Sequence, residues 1–114
     1  MTSPITTHVL DTARGRPASG VTILLERRGA GGAYAEVGRG VTDEDGRLRT
    51  LLAGGSLAPG VYRLTFEVGT YFDAQGTPGF YPEASVVFTV KDPGQHYHVP
   101  LLVSPFGYST YRGS

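Results

Sequence analysis

Cysteine is absent from this chain of 114 residues, which excludes disulfides and thiolate metal sites and fits a reducing compartment. Net charge is also missing, because ten acidic residues cancel ten basic ones. A neutral chain with no charge run offers no basic face for DNA or RNA, so nucleic acid is not an expected partner. No run of apolar residues reaches the length of a membrane span, and Met1 to Leu10 lacks the charged start and apolar stretch of a leader. The expectation is a soluble, cytoplasmic protein without a membrane partner. Two catalytic motifs are missing as well. No serine sits in a Gly-x-Ser-x-Gly elbow, and the glycines at 29–32 are not followed by the Gly-Lys-Ser/Thr of a phosphate loop.

Glycine and proline are plentiful, with 17 and 8 residues, and they cut the sequence into short runs rich in Val, Ile, Thr, Tyr and Phe. Regularly spaced runs of β-formers between turn signals indicate an all-β sandwich. Strands are expected at 5–12, 21–28, 34–42, 47–51, 61–68, 84–90, 97–104 and 108–113. Tyr62, Leu64, Phe66 and Val68 alternate with Arg63, Thr65 and Glu67, and Val86, Phe88 and Val90 repeat that pattern. Such a period of two marks a strand with one buried face. Turns are expected at Asp43-Glu44-Asp45-Gly46, Pro59-Gly60 and Pro93-Gly94. The segment 69–82, broken by Gly and Pro, leaves room for a short helix followed by a loop. The length suits one domain over residues 1–114 with an adequate core, and neutrality leaves its β-edges free to associate.

The chain has three histidines. His96 and His98 lie two apart on an expected strand, so both leave the same face, opposite Tyr97, Val99, Leu101 and Val103. Histidines on a sandwich surface are usually just solvated. Pro100 and Leu102 share this face, however, and the mixture suits a surface covered by another subunit better than one facing water. His8 lies on the first strand with Thr6 and Leu10. Together the three imidazoles would satisfy an open zinc site, but no carboxylate stands ready to orient them, and the metal reading ranks second. Arg47 follows the Asp45-Gly46 turn, where a guanidinium suits a planar, oxygen-rich ligand. By composition alone it is an ordinary surface arginine beside acidic turn residues. The last residues, Tyr108 to Ser114, keep strong β-formers to the end and are expected to pack rather than fray.

Three motifs then carry a resemblance. His8-Val9-Leu10-Asp11-Thr12 with Gly15-Arg16-Pro17-Ala18, Thr42-Asp43-Glu44-Asp45-Gly46-Arg47, and the run from His96 to Pro105 followed by Tyr108 to Ser114 resemble the signatures of 5-hydroxyisourate hydrolases. The resemblance spans nearly the whole chain. Its most specific part is the ending Tyr111-Arg112-Gly113-Ser114, which transthyretin lacks. The one departure is the stretch 29–33, longer and richer in glycine than this hairpin requires.

The resemblance implies a transthyretin-like sandwich of two four-stranded sheets with one short helix. It also implies a homotetramer with active sites in the channel between dimers. The implied reaction is hydrolysis of 5-hydroxyisourate in urate breakdown, with no metal or organic cofactor. His8, His98 and Arg47 are the implied catalytic residues, and His8, Arg47, Tyr111 and Ser114 the implied substrate contacts. Ser114 would act through its hydroxyl or a terminal carboxylate, and His96 receives no assignment. A carrier of small aromatic ligands without chemistry is the main rival. A third reading, an interaction module attached to other proteins, is less expected because the domain fills the chain.

Overall fold

The computed structural model, which describes residues 3–53 and 57–114, contains nine strands and one helix among those residues, the longer strands built on alternating apolar residues. They are β1 (Ile5–Asp11), β2 (Arg16–Pro17), β3 (Thr22–Arg28), β4 (Tyr34–Val41), β5 (Arg47–Leu48), β6 (Gly60–Phe66), α1 (Val68–Asp73), β7 (Ala84–Val90), β8 (Tyr97–Ser104) and β9 (Gly107–Thr110). Met1 and Thr2, the start of the segment considered above as a leader, lie outside the described residues. One sheet runs β4-β3-β6-β7. In the other, β1, β8 and β9 follow in order, and the short β2 and β5 share the outer edge of β1. The two inner faces close on one core that includes Ile5, Val9, Ile23, Leu25, Tyr62, Leu64, Phe66, Leu101 and Val103. Among the described residues no helix is long and apolar enough to cross a membrane.

The two-sheet architecture and the short helix match the sequence-based expectation. Three local differences have physical causes. The strand expected at 47–51 stops at Leu48. Pro4, just before β1, has no N–H to give. Ser3 instead bonds the Arg49 carbonyl through its own N–H, and its hydroxyl accepts the Leu52 N–H. The last strand ends at Thr110 rather than Gly113. Leu101 faces Thr110, so Tyr111 comes next against Pro100, and proline cannot donate to the Tyr111 carbonyl. The chain rejoins β8 at Gly113, whose N–H donates to the His98 carbonyl at 2.8 Å. Finally, β2 is only two residues long, too short for its side-chain period to show.

Helix α1 presents Val68 and Phe72 to the core, one turn apart. The Tyr71 hydroxyl donates to the buried Asp11 carboxylate at 2.8 Å, and Asp11 also accepts the Ala13 and Arg14 N–H groups. This network fixes the turn that follows β1. Thr42 does similar work elsewhere: its hydroxyl donates to the Ala18 carbonyl and accepts the Val21 N–H, tying the segments of two sequence motifs together.

Two pairings position the chemistry. Strands β1 and β8 lie side by side and parallel, with Thr6 opposite His98 and His8 opposite Pro100. On the other edge of β1, β5 runs antiparallel with Arg47 opposite His8. Residues from both ends of the chain and from its middle therefore share the outer face of one sheet.

Candidate active site

The turn before β5 is built by Asp43. Its carboxylate accepts the N–H groups of Asp45 and Arg47, at 2.9 and 3.0 Å. The bond from the Arg47 N–H, aided by that from Asp45 and the nearby Arg49 and Arg47 charges, holds the Asp43 carboxyl below the usual range. Gly46 has φ of 74°, a left-handed conformation that glycine adopts freely. The turn thereby aims two groups at the outer face, the Arg47 side chain and the Asp45 carbonyl. That carbonyl accepts a hydrogen bond from His8 Nε2 at 2.8 Å. A carbonyl can only accept, so the proton is assigned to Nε2, and Nδ1 of a neutral His8 is free to act as an acceptor.

Beside this turn lies an open cavity of about 230 Å³, lined by Thr6, Thr7, Arg47, Arg49, His96, His98 and Ser114. The Thr6 hydroxyl stands between two imidazoles, 2.9 Å from His96 Nε2 and 2.9 Å from His98 Nδ1. The contact leaves Nε2 as the His98 nitrogen open to a ligand. Burial, with the positive charges of Arg47, His8 and His96, lowers the His98 pKa below its ordinary value, so the neutral ring is favoured. Gly113 gives His98 its space, because a Cβ at that position would stand 2.6 Å from the ring Cδ2.

The cavity collects three of the residues named from sequence, Arg47, His98 and Ser114. His8 is not among the lining residues; it lies opposite Arg47 in the β1–β5 register. Tyr111 is elsewhere. It lines a separate, mainly apolar opening of about 240 Å³ with Val86, Phe88, Tyr97 and Arg112, where the guanidinium of Arg112 lies 4.7 Å over the Tyr97 ring. Thr6, Arg49 and His96 also line the site, although the sequence reading does not count them among its site residues. Arg49 was legible in principle, since it leaves the same side of the chain as Arg47. Thr6 carries no signal of its own without knowledge that β8 lies beside β1. Among the described residues, no group of three or more His, Cys, Asp or Glu side chains is arranged to hold a metal ion.

The arrangement suits hydrolysis of a planar, oxygen-rich substrate. Two guanidinium groups can hold oxygen atoms, and a neutral imidazole beside them can take a proton from water.

Comparison with known proteins agrees with that chemistry. Residues 5–113 match the model of the HIUase/Transthyretin family. The 5-hydroxyisourate hydrolase of Halalkalibacterium halodurans is 49% identical over 119 residues, covering 100% of both chains. The solved 5-hydroxyisourate hydrolase of Klebsiella pneumoniae superposes with a TM-score of 0.84 at 37% identity, covering 96% of this chain and 98% of that one. Sea bream transthyretin, solved in complex with thyroxine, superposes with a TM-score of 0.91 at 34% identity, covering 96% and 94%. A 5-hydroxyisourate hydrolase and a thyroxine-bound transthyretin thus share this backbone, and side chains rather than fold must separate their functions. By the match over nearly its whole length, the chain belongs to the HIUase/Transthyretin family.

Proposed function

We propose that this protein hydrolyses 5-hydroxyisourate, opening the six-membered ring at the N1–C6 bond to give 2-oxo-4-hydroxy-4-carboxy-5-ureidoimidazoline. The observation that carries this reading is the convergence of Arg47, His98 and Ser114 on one polar cavity, with His8 paired opposite Arg47 on the neighbouring strand. Relatives named as 5-hydroxyisourate hydrolases, 49% identical in one case, support the choice of substrate.

In this reading water is held between His8 and His98. The free nitrogens are His8 Nδ1 and His98 Nε2, because the Asp45 carbonyl and the Thr6 hydroxyl occupy the others. One imidazole takes a proton as the oxygen attacks C6, and the leaving N1 receives a proton as its bond to C6 breaks. General base catalysis of this kind contributes on the order of 10²- to 10⁴-fold. Arg47 binds substrate oxygen and stabilises the charge that develops on the attacked carbonyl. Its positive charge also disfavours imidazolium, which keeps His98 neutral and ready. Ser114 positions the substrate.

The active form in this reading is a cytoplasmic homotetramer, with sites where dimers meet. Two features support a covering subunit. The cavity is open, and the surrounding outer face bears half-buried Leu10 and Leu102. Tyr111 shapes the channel through that assembly rather than through the cavity of its own chain. The alternative is a carrier, favoured by the overlay on thyroxine-bound transthyretin. Ultraviolet absorbance of freshly generated 5-hydroxyisourate separates the two. A hydrolase accelerates the decay, whereas a carrier leaves its rate at that of buffer.

A further inference from the structure

His96 is exposed, His98 is half-buried, and one hydroxyl touches a ring nitrogen of each at 2.9 Å. A threonine hydroxyl has one proton to donate and lone pairs to accept. Of its two imidazole contacts, it can donate to only one, and when it does so it can accept from the other. In that arrangement the two tautomers are coupled in opposition through Thr6. When His98 Nδ1–H donates to Thr6, Thr6 donates to His96 Nε2, and His98 Nε2 is a free base. When His96 Nε2–H donates to Thr6, Thr6 donates to His98 Nδ1, and His98 Nε2 carries a proton.

We propose that the Thr6 hydroxyl is a proton relay, which moves the charge generated at His98 during hydrolysis out to His96 and returns it for the second half of the reaction. The inference rests on the hydrolase reading above. In the first half, His98 Nε2 takes a proton from water as the water oxygen bonds to the substrate carbonyl carbon. The His98 Nδ1 proton passes to the Thr6 oxygen while the Thr6 proton passes to His96 Nε2. His98 is again neutral, now protonated at Nε2, and His96 carries the positive charge. In the second half, His98 Nε2 gives its proton to the leaving nitrogen as the carbon–nitrogen bond breaks. His96 returns its Nε2 proton through Thr6 to His98 Nδ1. Each transfer moves one proton, and the cycle ends where it began.

The surroundings favour this direction of charge movement. Arg47 and Arg49 from the β5 side, His8 from β1 and Ser114 from the C-terminal segment surround His98, and among the described residues no acidic side chain lines the cavity. A positive charge held at half-buried His98 is thus poorly solvated and repelled, whereas the His96 ring is more exposed in the single chain. The main-chain register fixes the relay. Thr6 lies directly opposite His98 in the parallel β1–β8 pair and is itself only 5% exposed. Thr6 and His96 are positioning residues here, acting on substrate through His98.

Thr6→Val tests the relay, because valine keeps the β-branched shape and loses the hydroxyl. The expected result is a kcat lower by tenfold or more, with KM within about twofold and the melting temperature nearly unchanged. Thr6→Ser should restore kcat to within about threefold of the parent protein. His96→Asn, at an exposed position, should lower kcat as Thr6→Val does. The double variant should be no worse than either single one, since both break the same path. Were Thr6→Val to unfold, His96→Asn and Thr6→Ser decide the matter alone. A Thr6→Val or His96→Asn protein with parental kcat overturns the relay, as does a double variant whose losses multiply. If the unsubstituted protein leaves 5-hydroxyisourate decay at the buffer rate, the hydrolase reading itself falls, and the relay falls with it.

Discussion

The two faces of the β1–β8 pair are made from alternate residues of the same strands, yet they are built to different rules. Inward, Ile5, Val9, Val99, Leu101 and Val103 are apolar and buried. Outward, Thr6, His8, His98 and, across the β5 edge, Arg47 carry hydrogen-bonding and ionisable groups. The inner face gains stability from area removed from water, roughly 25 cal/mol per Å². The outer face places polar residues where burial would favour apolar ones, and it keeps them satisfied through Thr6 and the Asp45 carbonyl. Substitutions on the outer face should therefore show in the rate, and those on the inner face in stability.

The largest expected effect is on the outer face. His98→Asn should lower the rate of 5-hydroxyisourate hydrolysis by about 10²- to 10⁴-fold, the range for losing a general base. Its thermal unfolding should stay close to that of the parent. Leu101→Ala reverses the pattern. That side chain is fully buried, and its truncation should cost about 2–5 kcal/mol in denaturant unfolding, with normal activity per folded molecule. Gly113→Ala sits between them, because the new methyl must push against the His98 ring. A displacement of that size should cost about ten- to a hundredfold in kcat with little loss of stability. The smallest effect is a shift in pH dependence. Burial and the neighbouring positive charges lower the His98 pKa, so if His98 is the base proposed above, the acid limb of kcat/KM should fall below the ordinary histidine value. Arg47→Gln removes one of the charges that lower it. The limb in that variant should move upward, toward the unperturbed value, and a limb that stays in place would separate Arg47 from the His98 titration.

The two faces also differ in how far the sequence alone reveals them. Period-two alternation is local, so the strands at 84–90 and 97–104, most of that at 61–68, and their buried faces are evident from residue order by itself. The alternation at 61–68 runs past the strand, which ends at Phe66, because Val68 keeps its buried face as the first residue of helix α1. Helix α1 is foreseen only as room between breakers, since six residues offer little periodicity. The candidate site is legible in its ionisable members, because the chain has only three histidines and His8, Arg47 and His98 each stand in a motif of the family resemblance. Thr6 is not, as a threonine on a strand is ordinary. Its meaning comes from the parallel pairing of β1 with β8, a contact between residues 92 positions apart that no local pattern encodes. The early end of β9 could have been read from Pro100, a proline inside an expected strand.

The most direct test is the decay of freshly generated 5-hydroxyisourate, followed by ultraviolet absorbance with the unsubstituted protein and with His98→Asn in parallel. A catalytic outer face predicts strong acceleration by the first and nearly none by the second, with matching melting temperatures. Equal acceleration by both proteins, or none by either, would contradict it.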